Sequence, residues 1–138
     1  MNHIPKVLIV EDSDLQAEYL EMTLHNLGIT DVTLAGDGRA GLECYERALR
    51  DGMPYHLLFI DIIMPEMDGQ ELLKRIRAIE AAAGLSATGR SVIIMTTALH
   101  STDDMMESLV TGDCNDYIVK PVVQNDLRSM LGKYGVIG

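Results

Sequence analysis

Six polar residues stand at the ends of short apolar runs, and their types suit phosphorus chemistry. Glu11 and Asp12 follow "KVLIV" (Lys6–Val10), and Asp61 follows "LLFI" (Leu57–Ile60). Thr96 and Thr97 follow "VIIM" (Val92–Met95), and Lys120 follows "YIV" (Tyr117–Val119). Two unit charges ~4 Å apart near a protein surface repel by ~4 kcal/mol, so three carboxylates gather only at a cost. A hard divalent cation removes it. Mg²⁺ takes oxygen ligands, keeps some water, and is usually held by one or two carboxylates plus a phosphate. No His or Cys cluster offers a zinc site instead. One carboxylate can also be a nucleophile and form an aspartyl-phosphate. Phosphoryl transfer then needs little beyond positioning and charge neutralisation. Lys120 supplies a point cation, a Thr hydroxyl one donor, and backbone N–H groups after Asp61 others.

The elements that must position these residues are legible around them. The four apolar runs are rich in β-branched residues and do not alternate with polar ones. That pattern fits strands buried on both faces of a parallel sheet. "DVTLA" (Asp31–Ala35) alternates and reads as an edge strand. Helical stripes lie between the runs: Leu20, Leu24 and Leu27 with Leu15, Tyr19 and Met22 beside them, then Leu42, Tyr45 and Leu49, then Leu72, Ile76, Ile79 and Ala83. Met105 with Leu109 and Met106 with Val110 make a fourth, and Leu127, Leu131 and Tyr134 a fifth. Ser13, Asp68 and Ser101 open capping-box patterns, Asp37-Gly38 starts the second helix, and Gly28 and Gly52 suit helix ends. Strand and helix alternate five times, which predicts right-handed crossovers and an α/β, doubly wound, five-stranded parallel sheet. The carboxyl ends of all strands then share one edge, where ligands bind at the reversal of strand order. With strands one and three adjacent there, Glu11, Asp12 and Asp61 converge.

The composition excludes several alternatives. A chain of 138 residues is a common size for one domain and can bury a real core. Its net charge of −10 disfavours direct contact with nucleic acid or an anionic membrane. Cys44 and Cys114 lie in unrelated segments without a C-x-x-C, which reads as a reduced, cytoplasmic chain with two small apolar side chains. The N-terminal run is too short for a signal peptide or membrane span. His3, His25, His56 and His100 lack metal or triad spacing.

Taken together, Glu11-Asp12, "DIIMPEMDG" (Asp61–Gly69), Thr97-Ala98 and "DYIVKP" (Asp116–Pro121) resemble the receiver domain of two-component response regulators. The resemblance runs from about Lys6 to Tyr134 and is closest to single-domain receivers of the chemotaxis-regulator kind. It implies a flavodoxin-like (βα)5 fold with sheet order 2-1-3-4-5, one receiver domain over residues 1–138. It makes Asp61 the phosphoacceptor, and the metal ligands Asp61, Asp12 and the Ile63 carbonyl, with Glu11 acting through a bridging water. Lys120 would contact the phosphoryl group and, before it arrives, Asp61. Thr97 would be the switch hydroxyl and Tyr117 the aromatic that follows it, although a plain core role competes for Tyr117. Lys120-Pro121 is expected to be cis. The implied donor is a histidine kinase or phosphotransfer protein. The implied output is a protein target met by the fourth helix, fifth strand and fifth helix, as no DNA-binding or catalytic pattern follows Tyr134. Such a domain assists its own phosphorylation and dephosphorylation and is a signalling protein rather than an enzyme.

Three other readings compete. A Mg²⁺-dependent phosphatase also uses an aspartyl-phosphate, but a second Asp two residues after Asp61 is wanting, since Ile63 stands there. A nucleotide-binding flavodoxin-like module lacks a glycine-rich phosphate loop after the first strand. A degenerate receiver would bind partners without phosphorylation, against the full residue set. Three departures from the family pattern stand out. Glu11 replaces the usual Asp, Asp113-Cys114 replace Gly-Ala, and apolar Ile63 and Leu99 occupy the positions that tune phosphoryl hydrolysis. Neither Ile63 nor Leu99 can orient a water, so the aspartyl-phosphate is expected to be long-lived. Decay timed in an Ile63→Asn, Leu99→Glu variant should be faster than in wild type; equal decay would contradict this.

Overall fold

A computed structural model describes residues 4–86, 88–98 and 114–137. Strands β1 (Lys6–Val10), β2 (Asp31–Ala35), β3 (Leu57–Asp61), β4 (Val92–Thr97) and β5 (Asp116–Val119) form one sheet. All its pairings are parallel, and the order is β2-β1-β3-β4-β5. Helices α1 (Asp14–Asn26), α2 (Gly38–Arg50), α3 (Gly69–Ala82) and a C-terminal helix (Gln124–Lys133) cover it. This is the doubly wound parallel sheet that the strand–helix alternation implies, in the flavodoxin-like order that the family resemblance implies. The stripe at Met105–Val110 with its cap at Ser101–Asp104, and also Leu99, Asp113, His3 and His100, lie outside the described residues.

The two faces of the sheet explain why its strands do not alternate in sequence. Leu8, Val10, Leu58, Ile60, Ile93 and Met95 pack with Tyr45, Leu72 and Ile76. Val7, Ile9, Leu57, Phe59 and Ile94 pack with Ala17, Leu20, Leu24, Leu127 and Leu131. Neighbouring residues of each central strand therefore enter opposite cores. The helices begin as the sequence predicts. Ser13, Asp37 and Asp68 accept from the N–H groups of Gln16, Ala40 and Glu71, each cap contributing about 1 kcal/mol.

Several expectations need correction. Strands β3 and β4 run further than their apolar runs, so Asp61, Thr96 and Thr97 are strand residues rather than the residues after strands. β5 is the second edge of the sheet, and only Ile118 within it is buried, so "YIV" is not covered on both faces. On α1, Leu15, Tyr19 and Met22 are 78%, 49% and 62% exposed, while Ala17 and Thr23 are buried. The small Ala17, three residues before Leu20, turns α1 so that its buried stripe is Ala17, Leu20 and Leu24. Cys44 is half-buried, whereas Cys114 is buried. Ala83 lies just past α3 and is exposed, while Glu80 is wholly buried.

Glu80 anchors the end of the sheet opposite to the strand carboxyl termini. Its carboxylate accepts from Tyr45 Oη at 3.1 Å, the Ser91 N–H at 2.8 Å and an Arg77 guanidinium nitrogen at 2.6 Å. Arg77 also donates to the Ser91 carbonyl and to Asn115 Oδ1. One buried acid thus joins α2, α3 and the entries to β4 and β5. Breaking such a pair by removing one partner typically costs about 3–5 kcal/mol.

Candidate phosphoacceptor site

The last rungs of the sheet carry the polar residues. Glu11 directly follows β1, and its N–H donates to the Ala35 carbonyl of β2 at 3.0 Å. Asp61 ends β3 and is the register partner of Thr96. The next residue, Ile62, donates to the Thr96 carbonyl at 3.0 Å. Lys120 follows β5, donates its N–H to the Thr97 carbonyl at 2.7 Å, and forms a cis bond to Pro121. Behind Asp61, α3 starts so close that a Cβ on Gly69 would collide with the Asp61 carbonyl and the Ile62 Cα. Gly69 is therefore required by close approach, not only by a turn.

These rungs bring three acids together. One carboxylate oxygen from each of Glu11, Asp12 and Asp61 lies within 4.8 Å of the others. Glu11 and Asp61 are buried and Asp12 is exposed. Lys120 Nζ sits 2.5 Å from Glu11 Oε1 and 3.3 Å from Asp61 Oδ2. The Ser13 N–H donates to Glu11 Oε2 at 3.1 Å, and the Ile63 N–H to Asp61 Oδ1 at 3.2 Å. The Ile63 side chain itself is exposed. An all-oxygen donor set next to one ammonium suits a hard cation such as Mg²⁺. The shortest contact of Lys120, to Glu11, is not one that the sequence reading foresaw; the signal was the extra methylene of Glu over Asp.

Thr97 and Tyr117 have other partners among the described residues. The Thr97 hydroxyl is buried and donates to the Ala98 carbonyl at 3.2 Å. Tyr117 is half-buried against the core that holds Met95 and Ile60. Thr96, rather than Thr97, lines a largely apolar cavity of about 570 Å³ with Glu11, Lys120, Leu15, Tyr19 and Phe59. That cavity opens between α1 and the loop after β5, and Tyr19 Oη spans it by donating to the Val122 carbonyl at 3.0 Å.

The model of the response regulator receiver domain matches residues 7–132. The chain belongs to this family. It is 30% identical over 129 residues to the osmosensing histidine protein kinase SLN1 of Saccharomyces cerevisiae, covering 94% of this chain and 10% of that protein. It is 33% identical over 122 residues to the transcriptional regulatory protein HprR of Escherichia coli, covering 88% of this chain and 48% of HprR. Among solved structures it resembles the S. cerevisiae Ssk1 receiver domain, crystallised with the histidine phosphotransfer protein Ypd1. There the TM-score is 0.78 and the identity 31%, over 97% of this chain and 92% of that one. The chain spans half or less of the length of these curated relatives. It is a receiver domain of two-component signalling, and among the described residues no helix is long and apolar enough to cross a membrane.

Electrostatics set the resting state of this receiver domain. Burial raises the Glu11 carboxyl from 4.5 to about 7, and Asp61 adds repulsion, while Lys120 and the Ser13 N–H oppose the rise. The folded chain thus holds this proton more tightly than the unfolded chain. The carboxyl consequently lowers stability progressively as pH rises from 4.5 to about 7, and adds no further slope above that. In metal-free buffer, the urea midpoint of Glu11→Gln should gain on that of wild type across this window. A midpoint difference independent of pH would contradict the assignment.

Proposed function

We propose that the domain is a phosphoacceptor switch whose acceptor is Asp61. The observation that carries this reading is the meeting of Asp61 with two further acids and Lys120 at the carboxyl edge of the sheet. An Asp61 carboxylate oxygen forms a bond to phosphorus while the phosphorus–nitrogen bond of a donor phosphohistidine breaks, and the imidazole leaves with its electron pair. The Lys120 ammonium and the Ile63 N–H already stand at the two Asp61 oxygens, so both are placed to accompany the charge that arrives there. Asp12, Asp61 and the Ile63 carbonyl would hold Mg²⁺, with Glu11 farther out, and the ion would supply charge neutralisation for the phosphoryl oxygens.

The donor is a histidine kinase or a phosphotransfer protein, as the histidine phosphotransfer protein Ypd1 stands upstream of Ssk1. Its histidine must come to the strand edge. The exposed Leu15, Tyr19 and Met22 of α1 give it an apolar surface beside that edge.

The switch follows from where Thr97 rests. Its hydroxyl is turned to the Ala98 carbonyl, so reaching a phosphoryl oxygen requires it to move. Thr97 is joined through its own carbonyl to the Lys120 N–H, and Val119 is its register partner. Movement there is felt along β5, where Tyr117 lies, and changes the face that a downstream protein reads. The domain acts by exposing or hiding this face, not by transforming a metabolite, and needs no direct contact with nucleic acid or membrane. A phosphatase would need a general acid where Ile63 stands. A phosphorylation-independent binding module would not need the full set of Asp61, Lys120 and their acidic neighbours.

Acetyl phosphate with Mg²⁺ should add one phosphoryl group to the wild-type chain, detected by mass spectrometry and mapped to Asp61. Asp61→Asn should take none. A wild-type chain that stays unlabelled, or a variant labelled equally, would contradict the proposal.

A further inference from the structure

Strand β4 buries a hydroxyl without a partner. Side chains alternate along a strand, so Thr96 faces the same way as Ile94, toward α1 and the C-terminal helix, and Met95 faces the opposite core. Thr96 is 3% exposed, yet its hydroxyl has no hydrogen-bond partner among the described residues. The neighbouring Thr97 hydroxyl has one, the Ala98 carbonyl. A buried hydroxyl left unpaired is costly and uncommon.

The cavity of about 570 Å³ between α1 and the loop after β5 lies on this face, with Thr96 in its wall. Its other inner residues include the buried Ile9, Leu20, Phe59 and Val122. Leu15, Tyr19 and Pro121 also line it, and their exposure marks its mouth. The gap arises because α1 seats on the sheet through Ala17, Leu20 and Leu24, while the C-terminal helix begins only at Gln124. The Tyr19 hydroxyl, donating to the Val122 carbonyl at 3.0 Å, holds α1 to the loop across the opening. Apolar walls with a few converging polar groups, in a volume of about 300–1,000 Å³, characterise small-molecule sites. An apolar cavity of about 150 Å³ holds benzene, so this one has room for two fused rings.

We propose that this cavity binds a small uncharged aromatic molecule with one hydroxyl or carbonyl group, its rings against Phe59, Leu20 and Val122 and its polar atom on the Thr96 hydroxyl. The charged groups at the rim argue for an uncharged ligand. Lys120 already lies between Glu11 and Asp61, so an anion would meet two acids on its way to the ammonium. Each Glu11 oxygen already accepts a hydrogen bond, one from Lys120 and one from the Ser13 N–H, so a cation finds both engaged. The Thr96 hydroxyl can donate and accept, and it suits a ligand hydroxyl or carbonyl equally. The Phe59 ring in the wall favours an aromatic body over an aliphatic one. This site goes beyond the phosphoacceptor reading and does not depend on it, because binding is read without Mg²⁺ or a phosphodonor.

Titration of the ¹⁵N-labelled chain with 2-naphthol, naphthalene and 2-naphthoate, followed by amide chemical shifts, tests the site. 2-Naphthol should bind saturably, with a Kd below about 1 mM, and should move the amides of Leu20, Thr96 and Val122. Naphthalene, which leaves Thr96 unpaired, and 2-naphthoate, which brings a negative charge to the acids, should each bind more weakly. Thr96→Val removes the hydroxyl and keeps the shape. It should weaken 2-naphthol about fivefold and leave naphthalene unchanged. Because the lost hydroxyl has no protein partner, the variant should melt no lower than wild type. Val122→Phe fills the cavity and should abolish binding of all three probes; should it fold poorly, Thr96→Val decides alone. The proposal is overturned if 2-naphthol does not saturate or moves amides elsewhere. It is equally overturned if naphthalene or 2-naphthoate binds as tightly, or if Thr96→Val binds 2-naphthol as wild type does or melts several degrees lower.

Discussion

Mutual repulsion among Glu11, Asp12 and Asp61 is the constraint on which the rest depends. Their oxygens share a space under 5 Å across, two of the three side chains are buried, and one ammonium serves them. Once pH exceeds about 7 and Glu11 has lost its proton, three negative charges against one positive leave the site short of cation. Folding tolerates this only because the neighbouring backbone contributes donors, the Ser13 N–H to Glu11 and the Ile63 N–H to Asp61. The deficit is what a divalent ion and a phosphoryl group would each change, in opposite directions.

The fold makes such crowding possible by fixing its members from separate elements. β1, β3 and β5 each end in a rung of the sheet, and the site residues are attached to those rungs by backbone hydrogen bonds of 2.7–3.0 Å. At the opposite end, Glu80 is a buried acid of another kind. Its donors from Tyr45, Ser91 and Arg77 satisfy it, and it closes α2, α3, β4 and β5 into a stiff base. One buried acid is fully partnered and structural; the cluster at the carboxyl edge is under-partnered and available for chemistry. Burial alone does not distinguish them, but the number of donors does.

Most of the fold was legible because strand and helix announce themselves differently in this chain. The non-alternating runs gave four strands, the capping residues Ser13, Asp37 and Asp68 gave the helix starts, and the alternation of elements implied the parallel sheet. What was not legible depended on orientation. Periodicity allowed Leu15, Tyr19 and Met22 a place near the core, but the small Ala17 decides how α1 rolls onto the sheet, and it turns them outward. Glu80 sits four residues after Ile76, on the buried stripe, yet a charged residue there reads as a solvated one until Arg77, Tyr45 and Ser91 are seen around it. The convergence of Glu11, Asp12, Asp61 and Lys120 was legible from strand ends. The preference of Lys120 for Glu11 was not, because it turns on a difference of less than 1 Å between two contacts.

The most direct measurement of the central claim is the stability of Asp61→Asn against wild type, by urea unfolding with EDTA and with Mg²⁺. If repulsion among the three acids dominates the resting site, removing one charge raises the metal-free midpoint, and Mg²⁺ then stabilises wild type more than the variant. A variant less stable than wild type without metal, or a wild-type midpoint that Mg²⁺ leaves unchanged, would contradict the account.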